Sequence, residues 1–211
     1  MPYISSQRGR PGMIMADGFQ HYLRQAAALF GEAAEGDLGL RVERAIETIS
    51  QALSRRLPLL ICGNGGSAAD AMHIAGELVG RFLLDRPALK VLALVADPAV
   101  LTAWSNDFSY ESVFARQVEA HGEAGGVLLA ISTSGNSPNV IAAVKAAQAR
   151  QMTAIGLTGE GGGALAALCD LLLDVPSRET PRVQELHLCL YHYLCREVER
   201  RTAPAPSRAP A

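Results

Sequence analysis

The sequence is poor in aromatic residues and has no excess of charge of either sign. Aromatic side chains make up 5% of the 211 residues, and 19 basic residues stand against 21 acidic ones, for a formal net charge of −2. Non-specific nucleic-acid binding relies on a positive excess, so we expect no direct nucleic-acid partner. Few aromatics among 49% hydrophobic residues favour an α/β fold over an all-β sandwich.

Cysteine pairs and long apolar runs are also missing. The four cysteines (Cys62, Cys169, Cys189 and Cys195) form no CxxC motif, which predicts small buried thiols in a reducing compartment rather than a disulfide framework. No apolar run approaches the roughly 18 residues of a transmembrane helix, and the first residues lack the pattern of a secretory signal. These absences predict a cytoplasmic globular protein with no membrane partner.

Composition and periodicity divide the chain into three parts. Residues 1–16 show no periodicity and residues 203–211 are rich in Pro and Ala, so we expect a flexible extension, one domain over 17–202 and a disordered tail. Two amphipathic helices are predicted first, at 17–35 and 38–56. Apolar runs then predict strands at 58–62, 91–95, 127–131, 153–157 and 171–175. Helical patterns between and after them cover 67–83, 98–105, 110–120, 137–150, 162–168 and 181–200.

Short apolar strands that alternate with helices predict a parallel sheet covered on both faces. Such sheets bind ligands at the carboxyl ends of their strands, near the point where strand order reverses. The loops after the first and third predicted strands are therefore the expected location of a site.

Both of these loops consist of small polar residues. Residues 62–67 read Cys-Gly-Asn-Gly-Gly-Ser, and residues 132–137 read Ser-Thr-Ser-Gly-Asn-Ser. Glycines allow close approach of the backbone to a ligand, and Ser67 and Ser137 are predicted helix N-caps. Pro138 then suits the first helical position. Hydroxyls and free amides at a helix N-terminus favour an anion, and a phosphate monoester is the expected ligand.

A dinucleotide site is the alternative interpretation of the first loop. Residues 63–68 fit the pattern GxGxxA, which also requires an acidic residue about 20 positions later. Asp97 lies well beyond that distance, and no GxxxxGK[ST] motif is present. We therefore expect no nucleotide cofactor.

A series of motifs resembles one known family. Residues 62–67 are followed by Asp-Ala-Met-His at 70–73, by Glu-Leu-x-Gly-Arg at 77–81, by Ile-Ser-Thr-Ser-Gly-Asn-Ser at 131–137, and by Arg-Val-Gln-Glu-x-His at 182–187 with His192 after it. Over about residues 20–200 this order is similar to the phosphoheptose isomerases of the sugar isomerase (SIS) domain family.

The resemblance implies a fold and a reaction. The fold would be a flavodoxin-like three-layer α/β sandwich with a five-stranded parallel sheet, preceded by two helices, in a homotetramer whose active sites are shared between subunits. The reaction would convert sedoheptulose 7-phosphate to D-glycero-D-manno-heptose 7-phosphate through an enediol, toward the heptose of lipopolysaccharide or capsule.

An aldose–ketose isomerisation moves a proton between C1 and C2 and needs an acid and a base. His73 and Glu77 share a helix face at i,i+4 spacing, which also suits zinc or an ordinary polar contact, and Arg81 would continue that face. On the last helix, His187 and His192 point about 140° apart, and spacing does not choose between them. The resemblance selects Glu77 and His192 as the acid–base pair and leaves His187 as a core or interface residue.

The same resemblance implies further site residues. The zinc ligands would be His73, Glu77, Gln184 and His192. Contacts to the phosphate or the sugar would come from Asn64, Gly65, Gly66, Ser67, Arg81, Asn106, Asp107, Ser132, Thr133, Ser134, Ser137 and Gln184. Asp107 is equally consistent with a turn residue.

Two departures from the family pattern leave other functions open. Gly76 stands where a glutamate is expected, and Pro181 stands where an aspartate that contacts substrate hydroxyls is expected, so the sugar could be a different one. A related SIS protein binds a DnaA-type replication initiator without catalysis, but it lacks a carboxylate at position 77 and a histidine at position 192. A phosphosugar sensor without turnover is the third hypothesis.

Overall fold

The computed structural model describes residues 18–204. The extension expected at 1–16 lies outside the described residues, as do residues 205–211 of the expected tail. Helices α1 (Phe19–Glu35) and α2 (Leu38–Ser54) come first, as predicted.

Strands and helices then alternate along the chain. The strands are β1 (Leu59–Cys62), β2 (Val91–Ala93), β3 (Val127–Ser132), β4 (Thr153–Thr158) and β5 (Leu171–Asp174). The further helices are α3 (Gly66–Val79), α4 (Pro98–Asp107), α5 (Val113–His121), α6 (Pro138–Ala149) and α7 (Thr180–Thr202). Two short 3₁₀ helices, Tyr110–Ser112 and Gly163–Ala167, lie before α5 and β5.

All five strands pair in parallel, in the order β2-β1-β3-β4-β5. The predicted α/β class and five-stranded parallel sheet are therefore confirmed. From β1 the chain moves to one edge to form β2, and it then returns past β1 to form β3. The strand order reverses between β1 and β3, so the two polar loops follow the strands that flank this switch point.

The core lies on both faces of the sheet. Because neighbouring residues of a strand point to opposite faces, Ile61 and Leu129 pack with α2, α3 and α7, whereas Leu60 and Leu128 pack with α5 and α6. Every residue of β1 and β3 is buried. This explains why the strands are continuous apolar runs without alternation.

Several predicted element boundaries are wrong. Helix α3 begins at Gly66 with Gly65 as its N-cap and ends at Val79, so Ser67 lies within the first turn and does not cap it. Arg81 lies beyond the helix and cannot continue its face. The predicted helix at 162–168 is only a 3₁₀ helix, because residues 161–163 are glycines with positive φ.

Two further expectations concern cysteines and membrane helices. All four cysteines are free, with Cys62 and Cys195 buried, Cys169 half-buried and Cys189 exposed. Burial was therefore the wrong expectation for Cys189, which lies on an outer face of α7. Between residues 18 and 204 the structure contains no helix with the length and apolar character needed to span a membrane.

Candidate active site

The two polar loops meet at the switch point through a pair of asparagines. Asn64 Nδ2 donates to Asn139 Oδ1 at 2.8 Å, and Asn139 Nδ2 donates to Asn64 Oδ1 at 2.9 Å. The hydroxyl of Tyr110 also donates to Asn64 Oδ1, at 2.7 Å. The predicted proximity of the loops is thus present in the structure. Sequence reasoning missed Asn139 and Tyr110, although Asn139 comes directly after the loop and Pro138.

The loop at 132–137 collects hydroxyls at the N-terminus of α6. The hydroxyl oxygens of Ser132 and Ser137 are 3.0 Å apart, whereas Ser134 is exposed and accepts a bond from the Asn136 N–H at 3.2 Å. Ser137 occupies the predicted N-cap position but makes no side-chain capping bond, because its hydroxyl pairs with Ser132 instead. In the first turn of α6, Pro138 has no N–H and the Val140 and Ile141 N–H groups are already bonded, so the Asn139 N–H and the nearby hydroxyls are the donors that suit a phosphate.

Glycine is required at one position of this loop. Gly135 has φ +66°, and a Cβ there would lie 1.9 Å from the carbonyl oxygen of Gly162. The side chain of Asn136 braces the same contact, since its Oδ1 accepts the Ala164 N–H at 2.9 Å. The 3₁₀ helix at Gly163–Ala167 and the glycines before it therefore pack against the loop at 132–137 and restrict its conformation.

The glycine loop after β1 makes room for α7. A Cβ on Gly66 would lie 2.2 Å from Nε2 of Gln184, so the bare glycine backbone allows Gln184 to rest on the first turn of α3. Ser67 is buried in that turn, and Gly65 has φ +58°. Gln184 thereby lies beside the predicted phosphate site.

Two turns further along α3, the predicted acid–base residues lie together. His73 Nε2 is 3.1 Å from Glu77 Oε1, and the His73 and His192 rings meet edge to face with centroids 5.1 Å apart. The side chains of His73 and Glu77 are 41% and 24% exposed, so the cluster is open to a ligand. One chain therefore brings both Glu77 and His192 into contact with His73.

Tyr191 and Asp70 fix the His73 ring, and sequence reasoning missed both. The hydroxyl of Tyr191 lies 3.0 Å from His73 Nδ1 and 3.3 Å from Asp70 Oδ1. Burial raises the pKa of Asp70, against the lowering effects of the Tyr191 hydrogen bond and the His73 charge. Asp70 lies one turn before His73, and Tyr191 is the neighbour of His192, so sequence adjacency was the available signal.

Other predicted site residues lie apart from this cluster. Asn106 Nδ2 donates to Asp107 Oδ1 at 2.9 Å, and both residues are exposed at the end of α4. Arg81 is exposed as well. Among residues 18–204, no hydrogen bond or ion pair joins these three side chains to the loops or to the acid–base cluster.

His187 lies in the core, away from the cluster. It is fully buried, and its Nε2 is 3.1 Å from the carbonyl oxygen of Thr158. Burial lowers its pKa to about 4, against the raising effect of the Thr158 hydrogen bond. The structure thus separates the two histidines that spacing alone left open.

The chain shows similarity to proteins of known class. The family described as SIS domain matches residues 21–159, and the parallel sheet with its two polar loops is a SIS-domain architecture. A phosphoheptose isomerase of Nitratidesulfovibrio vulgaris is 47% identical over 184 residues, which cover 86% of this chain and 88% of that protein. The chain belongs to the phosphoheptose isomerase family.

Solved structures agree with this assignment. The phosphoheptose isomerase of Neisseria gonorrhoeae superposes with a TM-score of 0.80 at 42% identity, covering 86% of this chain and 96% of that one. The enzyme from Francisella tularensis gives a TM-score of 0.85 at 34% identity, covering 89% and 100%.

Replacing Gly135 with alanine should damage the loop at 132–137. The clash with Gly162 adds to the cost of positive φ, so we expect about 2 kcal/mol or more of destabilisation, measured as a lower thermal midpoint. Gly161→Ala is the matched control, because Gly161 has φ +76° but open space around its Cα. It should lose only about 1 kcal/mol; equal losses in both variants would refute the role of the clash.

The buried His187 should make stability fall as the solution is acidified. Its pKa in the fold, about 4, lies below its ordinary value of 6.5, so the unfolded chain takes up the proton first. Stability should decline by about 2–3 kcal/mol as pH falls from 6.5 towards 4. Thermal midpoints at fixed protein concentration should depend less on pH in His187→Gln, and parallel curves would contradict the assignment.

Proposed function

We propose that this protein isomerises sedoheptulose 7-phosphate to D-glycero-D-manno-heptose 7-phosphate in the cytoplasm, toward the heptose of lipopolysaccharide or capsule. The observation that carries the proposal is the cluster of His73 and Glu77 on α3, the helix that leaves the glycine loop, with His192 of α7 against His73. A sugar phosphate anchored at that loop would extend along α3 toward the acid–base groups. The family of the chain supports the same reaction.

The phosphate would be held by the loops at the switch point. The donors would be the exposed hydroxyl of Ser134, the partly exposed hydroxyl of Thr133 and the N–H of Asn139 at the start of α6, with no positive side chain among them. Gln184, beside Gly66, would contact the sugar. The positive ends of α3 and α6 favour the dianion.

Proton transfer would be shared by Glu77 and His192. A base removes the proton from C1 of the ketose while an acid protonates the carbonyl oxygen at C2, which gives the enediol. Return of a proton to C2, with loss of the proton on O1, gives the aldose. His73, held by Tyr191 and bonded to Glu77, would keep the carboxylate oriented.

The proposal includes a zinc ion bound by the same cluster. Among the described residues there is no preassembled group of three or more His, Cys, Asp or Glu side chains around a metal position. The donor types nevertheless fit zinc: imidazoles of His73 and His192, the carboxylate of Glu77 and the amide oxygen of Gln184. Tyr191, bonded to His73 Nδ1, suits the outer partner that a ligating histidine requires. When bound, zinc would polarise sugar oxygens.

In the proposed homotetramer with shared sites, a neighbouring subunit would cover the exposed apolar surface of α1. Helix α1 has no buried residue, and Phe19 and Leu23 on it are 73% and 50% exposed. Exposed apolar groups on one helix mark an interaction face. Arg81 and Asp107, which join no site within one chain, would contact substrate in a neighbouring subunit's site.

Glu77→Gln should lower turnover by about 10²-fold or more, because the variant keeps the size of the side chain but loses the titrating group. The measurement is the rate of sedoheptulose 7-phosphate isomerisation, with substrate binding followed by calorimetry as the control. A near-normal rate would exclude Glu77 as an acid or base. Binding without turnover in the wild-type protein would support a sensor, and initiator capture without sugar binding would support the non-catalytic relative.

Ser134→Ala should raise KM by about 10- to 100-fold with little change in kcat, since a lost hydrogen bond to a charged group costs about 1.5–3 kcal/mol. The thermal midpoint should stay unchanged, because Ser134 is exposed. The test compares the KM of Ser134→Ala for sedoheptulose 7-phosphate with that of Ser54→Ala, an exposed serine at the end of α2 and outside both loops. An unchanged KM in Ser134→Ala would count against the phosphate assignment.

A further inference from the structure

A buried ion pair lies behind the acid–base cluster, where α3 ends. Arg86 Nε is 3.3 Å from Glu199 Oε1, and the two side chains are 0% and 1% exposed. Buried ion pairs add little to stability, because apolar residues of similar volume often replace them without loss. The contacts of this pair indicate a different use.

Glu199 holds the backbone of the segment that follows α3, residues 80–86. The N–H groups of Phe82, Leu83 and Leu84 donate to its carboxylate at 2.9, 2.7 and 2.9 Å. Burial would raise the pKa of Glu199, but these three donors and Arg86 outweigh it and keep the pKa below its usual value. Because the segment belongs to no helix or strand, this carboxylate determines its path.

Arg86 connects the same pair to the last turn of α3. Its Nη2 donates to the carbonyl oxygen of Glu77 at 2.9 Å, and its Nη1 donates to that of Pro87 at 3.2 Å. The final carbonyls of a helix have no partner within the helix, so Arg86 supplies one for the residue that carries the catalytic carboxylate.

Phe82 connects the segment to the imidazole. Its ring lies 5.9 Å from the His192 ring, centroid to centroid, with 30° between their planes. His192 and Glu199 are seven residues apart on one face of α7. Glu199 therefore holds an aromatic ring against the imidazole, which limits the orientations that the imidazole can adopt.

We propose that Arg86 and Glu199 are positioning residues that hold Glu77 and His192 in their relative places through the 80–86 segment and Phe82. Both side chains are buried, so they act through these groups and not on the sugar. The catalytic part of the proposal rests on the function proposed above.

The first test observes His192 directly, without substrate. In protein labelled with ¹³C at histidine Cε1, with the His192 signal assigned by its loss in His192→Gln, Glu199→Gln should shift that signal because the ring current of Phe82 is removed. Glu119→Gln is the matched control, since it removes the same charge from an exposed ion pair with Arg116 and should leave the signal unchanged. An unshifted His192 signal in folded Glu199→Gln would overturn the proposal.

The second test separates positioning from substrate binding. In Glu199→Gln, kcat should fall about tenfold, as expected for a misplaced catalytic group, while KM stays within about twofold because the phosphate loops are untouched. Activity lost only in proportion to unfolded protein, or an unchanged kcat, would overturn the proposal.

A second variant covers the case in which Glu199→Gln does not fold. Phe82→Leu keeps the ion pair and an apolar side chain, and it should reproduce both the signal shift and the loss of kcat; wild-type values of both would refute the connection. If the wild-type protein does not isomerise the sugar, the proposed function fails, and the ¹³C signal still decides whether the pair positions His192.

Discussion

The site depends on the packing of α7 lengthwise along α3. The two helices run in the same direction, and their contacts follow in order: Gln184 on Gly66, Tyr191 and His192 on His73, and Glu199 on the segment after α3. Each contact places one functional group of α7 at one level of α3. Since α-helices rise about 1.5 Å per residue, this single packing arrangement distributes the groups proposed for phosphate binding, proton transfer and positioning over successive turns of the same two helices.

The sheet provides the second constraint, because it determines where α3 begins. Parallel pairing of β1 with β3 brings the loops after them to one edge, and the Asn64–Asn139 amide pair joins the loops there. Two helix N-termini thus point to one place, where an anion gains from both. The glycines of these loops allow close contacts as well as flexibility, because a Cβ on Gly66 would clash with Gln184 and a Cβ on Gly135 would clash with Gly162.

Helix α1 is attached to the rest of the chain by polar contacts near its start and by apolar contacts near its end, where Leu29 and Phe30 pack partly buried against the core. The Arg182 guanidinium lies 3.6 Å from the centroid of the Tyr22 ring and donates to the Tyr22 carbonyl oxygen at 2.9 Å. The apolar residues near its start remain exposed to solvent, as Phe19 does. This exposed apolar surface of α1 is the surface that the proposed homotetramer would bury.

Local sequence determined the class of fold, the two loops and the shared face of His73 and Glu77, because apolar runs, glycine and i,i+4 spacing act over a few residues. It failed at the end of α3 and at the Ser67 and Ser137 caps, where contacts from distant segments compete with local preference. Tyr191, Asp70, Tyr110 and the Arg86–Glu199 pair were decided only by tertiary structure. Their partners lie far along the chain, and the packing of α7 on α3 joins many of them. Apolar patterning marks a face of each helix, but it does not say which other helix will bury that face.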